Sequence, residues 1–494
     1  MVVPNYGKEH IAMKHTKASV LVLALIMGLV SCGQTSGGDD QPSNASTDDT
    51  TPEVTTALIE NFERRDFSGM TYTVMARPVN KADINQIAPE SMNGEVVNDA
   101  IYKRNLAVSE YFGADIEWRE CAEADYIGTF SNTVLAGDDE FQFAAVHVTQ
   151  SGALAKRGVL TDLNKIPYLD MTKPWWNQAA RENLTVKGKT FIGQNDIPTY
   201  MVICSNHVMY FNKTIAEKYQ IPDIYALIRE GKWTLDKLAE FAMPVTSDLN
   251  GDNIMDENDL WGFITTSGST SIFLPSCDQP IMKTGDDGIP TLALNTPKMV
   301  TIIEKLYKLC IESGDTLFAG IDKELDFCKL FTEGHSLFYN GYVADMNIMR
   351  DMKDEYGLIP APKFDEAQEN YRTLIQGSSD LVVIPASLPE EKYEFVGLMT
   401  EALAALSYTD VRPAIYEDAL KGKYMRDTDS QEMLDLVTRN IVIDFGMVNN
   451  VGFAFPIWNI LESKSSDFAS WYAKREAQAI SENKKIIALL TGEE

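Results

Sequence analysis

Basic side chains are in short supply, with 43 Lys and Arg against 72 Asp and Glu and a formal charge of −29. Nucleic acids and anionic bilayer surfaces are held by clustered Lys and Arg, so this balance argues against both as partners. Cysteine is scarce as well. Six in 494 residues, none in a C-x-x-C spacing, suggest neither a zinc site nor a disulfide framework. Cys121, Cys204, Cys277, Cys310 and Cys328 read mostly as buried apolar thiols, with one or two disulfides left open. Long apolar runs are missing too: Val20–Val30 is too short for a membrane span. The sequence holds no G-x-S-x-G elbow, no H-E-x-x-H and no G-x-x-x-x-G-K-[ST] loop, which removes the commonest signatures of hydrolases, zinc proteases and nucleotide-binding enzymes.

What is present is an ordinary globular composition, 45% apolar and 23% charged, in a chain too long for one hydrophobic core. Two or more lobes are expected. At the N-terminus, Lys14, His15 and Lys17 precede the Val20–Val30 run, which has the length of a signal-peptide core. It ends in Leu29-Val30-Ser31-Cys32-Gly33, a pattern similar to the bacterial lipobox, in which the leader is cut before a cysteine that becomes lipidated. Residues 13–32 then form the leader, with Met13 as the start and 1–12 upstream of it. Acyl chains on Cys32 would hold the protein at the membrane at about 0.8 kcal/mol per buried methylene. Residues 33–60 are rich in Ser, Thr, Gly and Asp and read as a disordered tether.

The body opens with an α/β alternation. Strand-like Thr71–Ala76, Asp115–Trp118 and Phe141–Val148 are separated by helical spacing over Asn98–Phe112 and Tyr126–Ala136, with Gly113 and Gly137 as stops. This order implies right-handed crossovers and a parallel sheet, and ligands of such sheets sit beyond the carboxyl ends of the strands. Arg77 and the segment His147-Val148-Thr149-Gln150 fall there. For His147 alone, a satisfied structural histidine is the commoner reading. Trp175-Trp176, after Pro174, would stack on a sugar ring or plug the lobe interface, and packing is the commoner fate of large aromatics. Tyr200–Lys213 is an apolar run interrupted by Cys204-Ser205-Asn206-His207. It reads as a hinge crossing with Ser205 and Asn206 facing a cleft, or as a buried strand with its polar groups locally satisfied. Thr234 is placed to cap a helix over Leu235–Ala242.

The most specific chemical motif is Asp248–Asp259. Oxygen-bearing side chains fall at positions 1, 3, 5, 9 and 12 of a twelve-residue loop, as Asp248, Asn250, Asp252, Asp256 and Asp259, with the Ile254 carbonyl at 7. That is the register of an EF-hand-type loop wrapping a hard cation, so Ca²⁺ is the expected structural cofactor. Asn253 replaces the usual Gly at position 6, which Asn tolerates because it visits the left-handed region. Asp259 replaces a bidentate Glu and should weaken binding. Leu260–Phe263 looks like a strand entry, so a helix-opening sensor is not expected.

Taken in order, the lipobox cysteine, Tyr210-Phe211-Asn212-Lys213, the turn Gly231-Lys232-Trp233-Thr234, the loop Asp248–Asp259 with Trp261-Gly262-Phe263, Phe331-Thr332-Glu333-Gly334, Asn340-Gly341-Tyr342 and Gly357–Lys363 resemble the extracellular solute-binding proteins of ABC transporters. The resemblance is closest to the sugar-binding group that includes maltose-binding protein. The run Ala402–Met433 is similar to a lipoprotein subgroup of that family. The resemblance implies a type II periplasmic-binding-protein fold: two α/β lobes, each a mixed sheet flanked by helices, joined by hinge strands. It divides the chain into lobe 1, residues 61–203 and 372–405, and lobe 2, residues 207–370 and 406–494. It puts Ser205 and Asn206 at the hinge mouth, Thr149-Gln150-Ser151 on the lobe 1 face, Thr266, Ser267, Tyr339 and Tyr342 on the lobe 2 face, and Gln376 and Ser378 on the return to lobe 1.

The expected function is therefore a lipid-anchored binding protein on the extracytoplasmic face, a monomer with no reaction of its own. It closes on a carbohydrate and passes it to ABC permease subunits. The alternatives are an exported carbohydrate-active enzyme and a sensory binding lipoprotein not coupled to import.

Overall fold

The computed structural model describes residues 58–78, 87–320, 325–416, 425 and 427–493; the expected leader, Cys32 and most of the expected tether lie outside them. Strand β1 (Thr71–Ala76) runs into helix α1 (Val96–Phe112), strand β2 (Asp115–Glu120), helix α2 (Tyr126–Ala136), strand β3 (Phe143–His147) and helix α3 (Val148–Ala155). Both predicted stops hold: Gly113 and Gly137 take φ of 70° and 76°, where a Cβ would be strained, and their N–H groups close the last helical turns. β1 pairs in parallel with β2 and with β3. The fourth strand arrives much later, when β12 (Asp380–Val383) pairs antiparallel with β3, giving the order β12-β3-β1-β2.

The Tyr200–Lys213 stretch is a strand in its second half only. Its first half is helix α4 (Thr199–Cys204), and only His207–Asn212 forms strand β4, buried at every position. The polar insert ends the helix: Ser205 Oγ donates to the Met201 carbonyl, and Asn206 Nδ2 donates to the carbonyls of Val202 (2.8 Å) and Ile203 (3.0 Å). These are the carbonyls a helix C-terminus leaves without partners, so the polar residues are spaced for termination.

β4 enters a second sheet of order β10-β4-β9-β5-β8, built with β5 (Trp261–Thr266), β8 (Thr316–Ala319), β9 (Ser336–Tyr342) and β10 (Tyr356–Ile359), while β6 (Met282–Thr284) and β7 (Pro290–Leu292) pair with each other in a separate ribbon. Helix α5 (Leu235–Ala242) covers it, and Thr234 Oγ1 caps that helix by accepting from Lys237 N as expected. Trp233 beside the cap is fully buried, with Nε1 donating to the Pro360 carbonyl (3.0 Å).

The chain returns to the first sheet through β11 (Thr373–Leu374) and β12, and helix α6 (Tyr393–Leu406) packs on that sheet through Phe395, Met399 and Leu403. It then crosses once more to helix α7 (Thr428–Arg439), which lies against β10 with Ser430 Oγ accepting from Leu358 N (3.1 Å). Buried Arg104 on α1 steadies the start of this crossing by donating to Ser407 Oγ (2.9 Å) and the Ile197 carbonyl (3.1 Å).

The last segment touches both lobes. β13 (Ile441–Val442) pairs with β11, helix α8 (Phe445–Val448) follows, and Asp444 before it accepts from the backbone of Ile281 and Met282. The same α8 lies so close to α3 that a Cβ on Gly152 would strike the Val448 carbonyl and Asn449. After helix α9 (Pro456–Glu462), helix α10 (Glu476–Thr491) takes Lys189 Nζ on its terminal carbonyl (2.7 Å), while its Asn483 donates to the Pro290 carbonyl (2.7 Å). The 406–494 segment, expected wholly in lobe 2, thus also packs on lobe 1.

Candidate functional site

The carboxyl ends of β1 and β3 gather the most polar corner of the first sheet. Arg77, just past β1, donates through Nη2 to the Ser378 carbonyl (2.9 Å) and to Asp380 Oδ1 (2.6 Å). Asp380 opens β12 and stands opposite His147, the last residue of β3. His147 is 4% exposed, and its Nδ1 lies 3.1 Å from Glu123 Oε1. Burial, helped by the Arg77 charge, pushes the imidazole pKa down to about 3, so the ring is neutral at physiological pH. A neutral ring donating from Nδ1 to Glu123 leaves Nε2 as an acceptor, and Nε2 is buried without a partner. Arg77 Nε, a donor, and Gln150 Oε1, an acceptor, are orphaned in the same corner, while Gln150 Nε2 is held by the Glu123 carbonyl (3.2 Å).

The loop before β12 closes over this corner. Thr149 N and Oγ1 both point at the Gly377 carbonyl (3.2 and 3.3 Å), and Ser378 Oγ donates to Gln376 Oε1 (2.7 Å). A side chain at Gly377 would meet Thr149 Cγ2 at 2.8 Å and Phe455 Cζ at 3.6 Å, so Phe455 faces the same loop. Phe455 stands 5.6 Å from the ring of Trp458 on α9, whose Nε1 donates to Glu462 Oε2 (2.8 Å). Ser267, at the end of β5, donates to the other oxygen of Glu462 (3.2 Å). A continuous line of polar and aromatic groups therefore runs from Arg77 on the first sheet to Ser267 on the second.

Of the residues singled out from sequence, Arg77, Thr149, Gln150, Gln376, Ser378 and Ser267 fall on this line, and Thr266 adjoins it, bonded to Ser269. Ser205 and Asn206 are brought to the crossing, yet they are 5% and 0% exposed and bonded into the end of α4, with only Asn206 Oδ1 left over. They build the crossing rather than open onto a cleft. Tyr339 turns into lobe 2, where it stacks on Tyr210 with ring centroids 6.0 Å apart and donates to Asp345 Oδ2 (2.9 Å). Tyr342, half-buried, lies against the His207 ring at 4.7 Å beside the crossing. Trp175 and Trp176 are packed rather than exposed, but inside lobe 1 and not at the lobe interface, both indole N–H groups donating to Glu401 (2.7 and 3.0 Å).

Sequence reasoning missed Glu123, Asp380, Phe455, Trp458 and Glu462. The aromatic run Phe453-Ala454-Phe455-Pro456-Ile457-Trp458, with Pro456 at the first helical position, is the signal that points to the last three.

The Asp248–Asp259 loop turns as its register implies, with Asn253 at φ 63°. Its carboxylates accept backbone N–H groups within the loop: Asp248 from Gly251 and Asn253, Asp252 from Ile254, and fully buried Asp259 from Leu249 and Asp256. The Asp256 and Leu249 N–H groups hold the Asp259 pKa below the usual carboxylate range. Among the described residues, no three of His, Cys, Asp and Glu come together to hold a metal ion. The five described cysteines are free and buried. No described helix is long and apolar enough to cross a membrane.

The family model for bacterial extracellular solute-binding proteins matches residues 108–420. The chain belongs to that family. No curated protein sequence matches this solute-binding protein. Among solved structures it is similar to the cyclic alpha-maltosyl-1,6-maltose binding protein from Arthrobacter globiformis, at 13% identity and TM-score 0.54, covering 86% of this chain and 99% of that one. UspC of M. tuberculosis gives 13% identity and TM-score 0.54, with 83% and 100% covered. A cyclo/maltodextrin-binding protein complexed with maltotetraose gives 15% and 0.52, with 84% and 96% covered. At these identities the likeness establishes the fold: the solute-binding protein has the two-lobe, type II architecture its motifs imply.

Proposed function

We propose that this solute-binding protein captures a carbohydrate between its lobes by hinge closure and delivers it to an ABC importer. One observation carries the reading. The orphaned Arg77 Nε, His147 Nε2 and Gln150 Oε1 supply one donor and two acceptors on the same line as the Phe455–Trp458 pair. Sugar hydroxyls both donate and accept, and sugar rings present apolar C–H faces to aromatics, so this pairing of groups suits a saccharide. Similar solved structures include binders of maltodextrins, which supports the same class. Anchoring through lipidated Cys32 and a structural Ca²⁺ in the Asp248–Asp259 loop are separate parts of the proposal. The first rests on the lipobox pattern and the second on the register of the oxygen-bearing residues.

The test is calorimetric titration of the purified protein with mono- and oligosaccharides, the products being analysed afterwards. Saturable binding without turnover, with a more compact liganded form in solution scattering, is expected. Hydrolysis of the bound saccharide would replace this reading with that of an exported enzyme.

A further inference from the structure

The charges along the site are unbalanced. Arg77 is the only full cation on the line among the described residues, and Asp380 neutralises it at 2.6 Å with both side chains largely buried. His147 is uncharged, as argued above. Glu123 faces only that neutral ring, and Glu462 only the neutral donors Trp458 and Ser267. No Lys or Arg pairs with either glutamate among the described residues, so two carboxylates stand along the site without a counter-charge.

Building on the carbohydrate reading, we propose that the site selects against anionic saccharides: it takes uncharged oligosaccharides and rejects uronates and sulfated sugars. Glu123, 61% exposed, and Glu462 stand at the surface, so a ligand carboxylate held beside either would meet a like charge at a few ångströms, a repulsion that salt screens. Arg77 offers little relief. Its Nη2 already serves Asp380 and the Ser378 carbonyl, so a second anion would meet an ion pair rather than a free guanidinium. Nε remains a single donor that a neutral hydroxyl satisfies. Both glutamates keep acceptor capacity for sugar hydroxyls, which lets the same groups that repel a uronate hold a neutral ring.

The experiment compares neutral trisaccharides (maltotriose, cellotriose, mannotriose) with trigalacturonate by calorimetry at low and high salt. At least one neutral trisaccharide should bind with an affinity insensitive to salt. Trigalacturonate should bind at least about tenfold more weakly, and raising the salt should strengthen it by screening the repulsion. Glu123→Gln/Glu462→Gln, which keeps the hydrogen-bonding shape, should narrow the gap between the two classes severalfold at an unchanged melting temperature. The salt response of the unaltered protein reads the same effect should that variant fold poorly. Trigalacturonate binding as tightly as the best neutral sugar would overturn the charge selection and leave the carbohydrate reading standing. Binding of neither class would overturn both.

Discussion

Two aromatic pairs in this protein share one chemical arrangement and differ in where it is set. Trp175 and Trp176 give both indole N–H groups to Glu401, which is 3% exposed. Trp458, next to Phe455, gives its N–H to Glu462, which lies at the surface beside the lobe-spanning loop. Burial pushes the Glu401 pKa up to about 7. Its neighbourhood is closed, and the indoles serve to satisfy a carboxyl that packing has trapped. The second pair is half-buried, and its carboxylate is exposed. The same indole–carboxylate contact thus fills a core when the carboxyl is buried and, on the function proposed above, serves recognition when it is not.

Removing the buried carboxyl should have the largest effect. Glu401→Ala orphans two indole donors and opens a cavity, and should cost about 2–4 kcal/mol in urea unfolding while leaving saccharide affinity unchanged. Lost binding at full stability would erase the distinction between the pairs. Trp458→Ala should do the converse, weakening binding by at least about tenfold (~1.4 kcal/mol) in calorimetry with less than about 1 kcal/mol lost in stability.

The pH response sharpens the contrast further. A carboxyl with its folded pKa raised from 4.5 to about 7 stabilises the fold fully below the unfolded value and loses that contribution as pH rises through about 7. Stability should therefore fall across this window by an amount on the order of 1–2 kcal/mol, and Glu401→Gln should flatten the fall, as read by melting temperatures from pH 4 to 8. The smallest effect is expected where carboxylates stand without an aromatic pair, in the Asp248–Asp259 loop. Calcium at ten times its Kd should stabilise the protein by about 1.4 kcal/mol. Asp252→Ala should abolish this gain, and identical melting curves with and without chelator would remove the metal from the account.

The first sheet was legible because each of its early elements carries a local signal: alternation in Thr71–Ala76, helical spacing to Phe112, and Gly113 and Gly137 where only a left-handed residue ends the turn. The rule that ligands sit beyond carboxyl strand ends then picked out Arg77, Thr149 and Gln150 correctly as neighbours. Tyr200–Cys204 misled because an apolar run buried on all sides has no period to separate helix from strand. Tyr339 misled because a tyrosine near a strand end has two faces to choose from, and the choice is made by Asp345, Tyr210 and Phe331 inside the lobe. Phe455, Trp458 and Glu462 went unread because the aromatic run that carries them shows a helix start but not its distant partner: they reach the site from the far end of the chain, by packing against the Gly377 loop and Ser267.

The antiparallel strand β12 bears on how the protein is made. Asp380 pairs with His147 from roughly 230 residues further along, so the first sheet stays one strand short until more than three quarters of the chain has been synthesised. Until then the outer edge of β3, apolar from Phe143 to Val146, is an open template for wrong partners. Such long-range closure slows folding, since loop entropy is lost before contacts repay it. A chain that delays its own completion in this way stays longer in an incompletely folded state, the one in which export machinery handles extracellular proteins.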